Sequence, residues 1–237
     1  MVCGRNKKNR MLDIVDSYMI SVCIPVCTMI NGLELLKRNL VHLADQTYRD
    51  FEVVITDNSD DDKIQDFLKS YFLLPIRYSK SPIKGASANT NEAILQANGK
   101  LIKILYQDDY LTHKDSLKDI VEHFTGEWLI TACDHDNGNE RYGKMIPKYN
   151  DDIYLGKNTI GSPSVLTIKN EDPLLFDPNL VWLLDCDYYK RLFIKYGQPV
   201  ILDKVTVTNG IGAHQATNRI SVETKLKERD YLIKRYG

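Results

Sequence analysis

LIKILYQDDYL, residues 101–111, is the stretch whose reading decides the fold. It opens as a near-continuous apolar run and breaks into Gln107-Asp108-Asp109. A strand buried on both faces of a parallel sheet has this form, with polar groups only where the chain leaves the sheet. In open α/β sheets, ligands bind outside the carboxyl ends of the strands. Two carboxylates at this point are therefore placed to meet a metal or a substrate. A solvated turn has the same composition, because Asp is a common turn residue. The elements on either side choose between the two.

Upstream, residues 20–26 (ISVCIPV) read as a first strand. Residues 32–45 follow as a helix with Leu33, Leu36, Leu40 and Leu43 at helical spacing. Residues 51–56 (FEVVIT) form a second strand that runs into Asp57-Asn58-Ser59-Asp60-Asp61-Asp62. A short helix over 63–72, a strand over 76–79 and a helix over 85–97 lead into the strand at 101–106. Strands alternating with helices point to βαβ units and a parallel sheet. Right-handed crossovers then bring the polar strand ends to one edge, with Pro25, Asp57 and Asp108 around one crevice.

The second half is less regular. A helix is expected over 113–124, a strand over 128–133, and a loop or distorted hairpin over 134–150. A short strand at 165–168 precedes the turn-rich 172–179. Residues 184–196 read as a helix stopped by Gly197 and Pro199. Two short β segments, 200–202 and 204–208, precede the glycine-flanked 210–218 and a charged helix over 222–236.

Composition narrows the function classes. A formal net charge of −1 offers no basic stripe for nucleic acid. No apolar run approaches the about 20 residues needed to span a bilayer. Residues 1–18 are basic but lack the apolar core of a secretory signal, and read as an extension ahead of a single domain over 19–237. Met11 or Met19 is an alternative start. The five cysteines are scattered, odd in number and without a C-x-x-C pair, so zinc and disulfide frameworks are not expected. This pattern fits a reducing, cytoplasmic compartment.

Phosphate-binding loops are missing: neither G-x-x-x-x-G-K-[ST] nor G-x-G-x-x-G after the first strand occurs. Neither G-x-S-x-G nor H-E-x-x-H is present. What remains is a set of carboxylates at strand and helix ends, with one late histidine. Asp108 and Asp109 offer hard oxygen donors suited to Mg²⁺ or Mn²⁺, which often take one or two carboxylates plus substrate phosphates. Asp57 can accept hydrogen bonds from a nucleobase or ribose, or cap the following helix. Asp185 can be a general base at a helix N-terminus, or simply a first-turn acid favoured by the helix dipole. His214 sits between glycine-flanked loop residues.

In this order the elements resemble the family 2 glycosyltransferases of the GT-A fold, from about Ile20 to Asn218. The resemblance is carried by ISVCIPVCTMINGLELLKRNLVHLADQTYRDFEVVITDNSDD as the opening βαβ unit. It continues through GASANTNEAILQANGKLIKILYQDD and PSVLTIKN…FDPNLVWLLDCDYYKRL. It implies an α/β fold: a Rossmann-like, mostly parallel sheet flanked by helices, with a less regular acceptor-side half.

The resemblance also implies an inverting, metal-dependent enzyme. It would move a sugar from a nucleoside diphosphate donor, most simply a UDP-sugar, to a hydroxyl on a glycan, lipid-linked or protein acceptor. Under it, Asp57 contacts the nucleobase, Pro25 and Val26 line the nucleotide pocket, and Asn58, Asn91 and Gln107 join the nucleotide site. Asp108 falls on the metal-binding aspartate and His214 on a histidine that completes the metal site. Asp185 falls on the catalytic base. Asp187, two residues along the same helix, points about 200° away, so both cannot face the acceptor. The chain departs from the pattern at Thr90, where arginine is common, at Leu184, where glutamate often precedes the base, and at Tyr106, which stands at the first aspartate of the D-x-D motif. Tyr106 motivates a rival reading as a non-catalytic binding domain, and the carboxylates motivate another as a nucleotidyltransferase.

Overall fold

A computed structural model describes residues 18–212 and 215–237. The extension expected over 1–18 lies almost entirely outside the described residues, as does His214.

The first half forms β1 (Ile20–Val26), α1 (Gly32–Ala44), β2 (Phe51–Asp57), α2 (Lys63–Leu68), β3 (Ile76–Lys80), α3 (Ala86–Gln96) and β4 (Leu101–Ile104). These strands pair in the order β3-β2-β1-β4, all parallel. The order reverses between β1 and β4, so this is where a doubly wound sheet opens a crevice at its carboxyl edge. Every residue of β2 and β4 is buried, which is why both read as largely apolar runs rather than alternating ones. The exception inside β4 is Lys103, fully buried, with its ammonium donating to the Ser164 carbonyl. Burial lowers its pKa well below the usual lysine range.

The second half forms β5 (Tyr110–Leu111), α4 (Ser116–His123), β6 (Trp128–Asp136), β7 (Arg141–Met145), β8 (Leu166–Lys169), α5 (Leu184–Tyr196), β9 (Val200–Gly210) and α6 (Val222–Tyr236). The sheet continues as β4-β8-β6-β9-β5, with β7 on β6. β8 is antiparallel to both neighbours, β9 is parallel to β6, and β5 is antiparallel to β9. The architecture is the α/β, Rossmann-like sheet expected, with antiparallel pairs concentrated in the less regular half.

One difference from the sequence reading has a plain cause. The segments at 200–202 and 204–208 are one strand, because the register against β6 jumps from Leu202 to Val205 and pushes Asp203 and Lys204 outward as a bulge. Of the two readings of 134–150, a loop or a distorted hairpin, its start is the hairpin: β6 extends to Asp136 and pairs with β7 across a register shift.

Helix α1 packs Leu36, Leu40 and Leu43 fully into the core. Its buried Asn39 donates to the carbonyls of Tyr106 (3.2 Å) and Asp109 (2.9 Å), fixing the turn after β4. Helix α3 lies over β1 and β2, with Thr56 Oγ1 donating to Asn89 O and Asn89 Nδ2 to Val26 O. Among the described residues no helix is long and apolar enough to cross a membrane. Cys23, Cys27, Cys133 and Cys186 are all free thiols.

Candidate functional site

The crevice at the carboxyl edge of β1, β2 and β4 is a cavity of about 800 Å³, within the size range of small-molecule sites. Its walls come from three loops. The first joins β1 to α1 and turns through Ile30 and Asn31, both at positive φ (47° and 61°). A β-branched residue in that conformation is uncommon and strained. Gly32 is required beside it, since a Cβ there would sit 1.8 Å from the Cys27 carbonyl oxygen.

The second wall is the Asp57–Asp62 turn. Asn58 Nδ2 donates to Ile83 O and its Oδ1 accepts from Gly85 N, both at 2.9 Å, so one amide ties this turn to the loop before α3. Ser59 Oγ accepts from Thr28 N at 2.9 Å and donates to Asp57. Asp57 itself is fully buried and does not line the cavity. Its carboxylate accepts from Ser59 N and the Tyr78 hydroxyl (2.8 Å each) and pairs with Lys80 at 3.2 Å.

The third wall is the turn after β4. Gln107 Oε1 accepts from Cys27 N at 2.8 Å, joining this wall to the first. Asp108 is half-buried on the cavity surface, and its carbonyl accepts from Arg38. Asp109 points the other way, 3% exposed, with its oxygens accepting from Gly210 N (2.9 Å) and Ser162 Oγ (2.8 Å). Burial, then repulsion from Asp108, pushes its carboxyl well above the usual range. Asp108 therefore meets the cavity while Asp109 braces the turn against β9.

Of the residues singled out in the sequence, Pro25, Val26, Asn58, Gln107 and Asp108 share this cavity. Asn91 lies elsewhere: its amide donates to Phe176 O at 2.9 Å and accepts from Phe176 N at 2.7 Å, so it clamps the acceptor-side segment. Of the three departures from the pattern, Tyr106 and Thr90 line the cavity together and Leu184 does not. The Tyr106 hydroxyl is buried, and burial raises its pKa. Arg219 lines the same cavity and brings a guanidinium that the sequence reading did not single out.

Asp185 stands in the first turn of α5 and is half-buried. Asn158 Nδ2 donates to its Oδ2 at 2.7 Å, and Cys186 N donates to its Oδ1 at 2.7 Å. The Asn158 amide is oriented by its own loop, because its Oδ1 accepts from Ile160 N and Gly161 N. Burial pushes the Asp185 carboxyl up to about 6, against the pull of those hydrogen bonds. That value suits a base working near neutrality, since it is mostly ionised at pH 7 yet more basic than an ordinary aspartate. Asp187 is fully buried instead: Arg191 Nε donates to it at 2.7 Å and the Tyr236 hydroxyl at 2.6 Å.

The donor set fits an open metal site rather than a closed one. Among the described residues no three His, Cys, Asp or Glu side chains cluster as a cage. Asp60, Asp61 and Asp108 line the cavity without clustering, and one such carboxylate matches the Mg²⁺ habit of taking one or two protein oxygens and completing its shell from substrate phosphates and water.

The α/β sheet, with a cavity at its switch point and Asp185 held apart from that cavity's lining at the start of α5, has the architecture of the GT-A fold. Residues 21–189 match the model of glycosyl transferase family 2, and the chain belongs to that family. Over 210 residues it is 26% identical to Escherichia coli K12 WcaA, a glycosyl transferase assigned to colanic acid biosynthesis, covering 81% of this chain and 72% of that protein. The crystal structure of S. aureus TarS 1-349 with UDP-GlcNAc superposes with a TM-score of 0.66 at 20% identity, over 90% of this chain and 65% of that one. The mannosyltransferase PcManGT from Pyrobaculum calidifontis, in complex with GDP-Man and Mn²⁺, gives 0.66 at 15% identity, over 94% and 66%. At these identities the two structures are shared folds. The chain spans less than two thirds of either, and 36% of the length of an uncharacterized glycosyltransferase, RC0461, from Rickettsia conorii.

Proposed function

We propose that the chain is an inverting glycosyltransferase that takes a UDP-sugar in the cavity and transfers the sugar to an acceptor hydroxyl held at Asp185. The observation that carries this reading is the pairing of an 800 Å³ cavity at the switch point with a rigidly held carboxylate of raised basicity. Sugar transfer is favoured over nucleotidyl transfer by the family, and over a purely binding role by the orientation given to Asp185. The neighbours' UDP-GlcNAc and GDP-Man complexes support a nucleoside diphosphate donor.

The residues divide the work as follows. Asn58, Ser59 and the Thr28 amide shape the base end of the cavity, and Asp57 acts from beneath by holding Ser59. Asp108 is the described residue that would hold Mn²⁺ or Mg²⁺ together with the donor diphosphate, and His214 is the second ligand the resemblance implies. Bound there, the cation would offset the negative charge that develops on the diphosphate as it leaves. Arg219 adds a guanidinium suited to phosphate oxygens. Asp185 takes the proton from the acceptor hydroxyl as that oxygen attacks the anomeric carbon. One displacement inverts the anomeric centre and needs no covalent enzyme intermediate.

The test is NMR-monitored turnover of UDP-glucose, UDP-galactose and UDP-N-acetylglucosamine with Mn²⁺, using water as acceptor where no other is supplied. The first sugar released from an α-linked donor is expected to be the β anomer. Turnover should fall about tenfold per pH unit below about 6, because protonating Asp185 removes the base. Release of the α anomer, or a flat profile down to pH 4, contradicts the mechanism.

A further inference from the structure

The family match ends at residue 189, whereas α6 begins at Val222. Side chains of α6 nevertheless grip the segment that carries Asp185 from both sides. Glu228 is 5% exposed, and its carboxylate accepts from the backbone N–H groups of Val181 (2.8 Å), Trp182 (2.9 Å) and Leu183 (2.8 Å). These donors lie immediately ahead of α5, where a helix leaves N–H groups without intrahelical partners. Leu183, at the cap position, has no side chain that could serve them. Beyond Asp185, the Tyr236 hydroxyl and Arg235 guanidinium reach Asp187 at 2.6 and 3.2 Å. Arg235 and Tyr231 also bind Asp177, both at 2.8 Å. Asp185 thus sits between two anchors contributed by one helix.

A solvated charged helix does not account for Glu228. Burying a carboxylate is costly unless its oxygens are satisfied, and here the partners are three peptide N–H groups of a distant segment. A local capping residue would order only the first turn of α5. Glu228 ties that turn to a separate element, so the packing of α6 sets where Asp185 stands at the start of α5.

We infer that Glu228 is a positioning residue for Asp185, holding the start of α5 in place and setting a negative charge against the positive end of that helix. The inference rests on the reading of Asp185 as the base. Helix N-terminal N–H groups favour an ionised carboxylate and weaken its basicity, and a second buried carboxylate at the same end opposes that effect. The other titratable groups facing Asp185 are Tyr106 after β4, and Cys186 and Tyr189 on α5, all held neutral by burial. Asp187 is on the same helix, turned to Arg191 and Arg235.

The experiment compares full-length wild type, Glu228→Gln, Glu228→Asp and Asp185→Asn. UDP affinity is read by calorimetry, and the pH dependence of UDP release from the most active of the three UDP-sugars by a coupled assay. Glu228→Gln is isosteric but uncharged, and turns an amide N–H₂ toward donors. Its kcat is expected to fall about tenfold or more, as small misplacements of a reacting group do. Donor KM and UDP affinity should stay within about twofold, because the cavity is lined by the loops after β1, β2 and β4, the start of α3 and Arg219, and by no residue of α6. Its acid limb should move to lower pH. Glu228→Asp keeps the charge but is one methylene short, so its kcat should fall with the acid limb unmoved. If these variants lose thermal stability alone, with kcat and acid limb as in wild type, the positioning role is overturned. Undiminished turnover in Asp185→Asn would instead overturn the assignment of the base, whatever Glu228 does.

Discussion

Asp185→Asn should lower turnover by roughly 10²–10⁴-fold, the usual contribution of a positioned general base, while leaving UDP affinity unchanged. The substitution keeps the side-chain volume and can still accept from Cys186 N, so the first turn of α5 stays in place. What is lost is the group that takes the acceptor proton. Asn158 donates to Oδ2 of Asp185, so the orientation that keeps the Cys186 bond turns the new amide nitrogen toward the Asn158 donor, which loses that partner. Thermal stability should still change little, because that loss is offset by replacing a half-buried carboxylate of raised pKa with a neutral group. Calorimetry with UDP and a UDP-release assay on the same preparation separate the two effects. Loss of UDP binding together with turnover would place Asp185 in the donor site instead.

Asp187→Asn should do the reverse. Asp187 is fully buried and engages Arg191, Arg235 and Tyr236. Removing one partner of a buried charge network costs about 3–5 kcal/mol. Arg235 retains 38% side-chain exposure and can recover water, so about 3 kcal/mol is expected. For a chain of this length that lowers the midpoint of thermal unfolding by roughly 6–12 °C. Below that midpoint, UDP affinity should match wild type. A stability change under about 0.5 kcal/mol would mean that the network linking α5 to α6 is not holding them together.

The two aspartates illustrate how far the sequence could be read. Helical geometry separated their directions, but which of them meets the acceptor depends on α6, whose charged sequence VETKLKERDYLIKRY reads as a solvated helix. Its buried Glu228 finds partners more than forty residues away, and no periodicity reports such a pairing. The parallel half was legible because β1, β2 and β4 are buried on both faces and so carry largely apolar runs between periodic helices. β5 was missed since two residues, Tyr110 and Leu111, form a strand only by pairing with β9.

Pro25 and Asp108, expected at one crevice from their strand ends, line the same cavity as Val26, Asn58 and Gln107, which the resemblance had added. Asp57 was read as facing a ligand, whereas Tyr78 and Lys80 on β3 draw its carboxylate inward. Asn91 was read as part of the nucleotide site, yet both ends of its amide are taken by Phe176. Such pairings across elements are set by packing, and spacing along the chain carries no trace of them. Asn158, which aims Asp185, and Arg219, at the cavity, lie in irregular segments where pattern gives no direction.

The account stands on a nucleoside diphosphate entering the cavity between β1 and β4, and a thermal-shift panel of UDP, GDP, ADP and CDP tests this most directly. A ligand that binds only the folded chain stabilises it by RT ln(1 + [L]/Kd), about 2.7 kcal/mol at a hundredfold excess over Kd. UDP is expected to raise the unfolding midpoint above the other three, and by more with Mn²⁺ than with EDTA. In Asp108→Ala the shift from UDP should persist and the extra shift from Mn²⁺ should vanish. If none of the four nucleotides moves the midpoint at millimolar concentration, with or without Mn²⁺, the cavity is not a donor site.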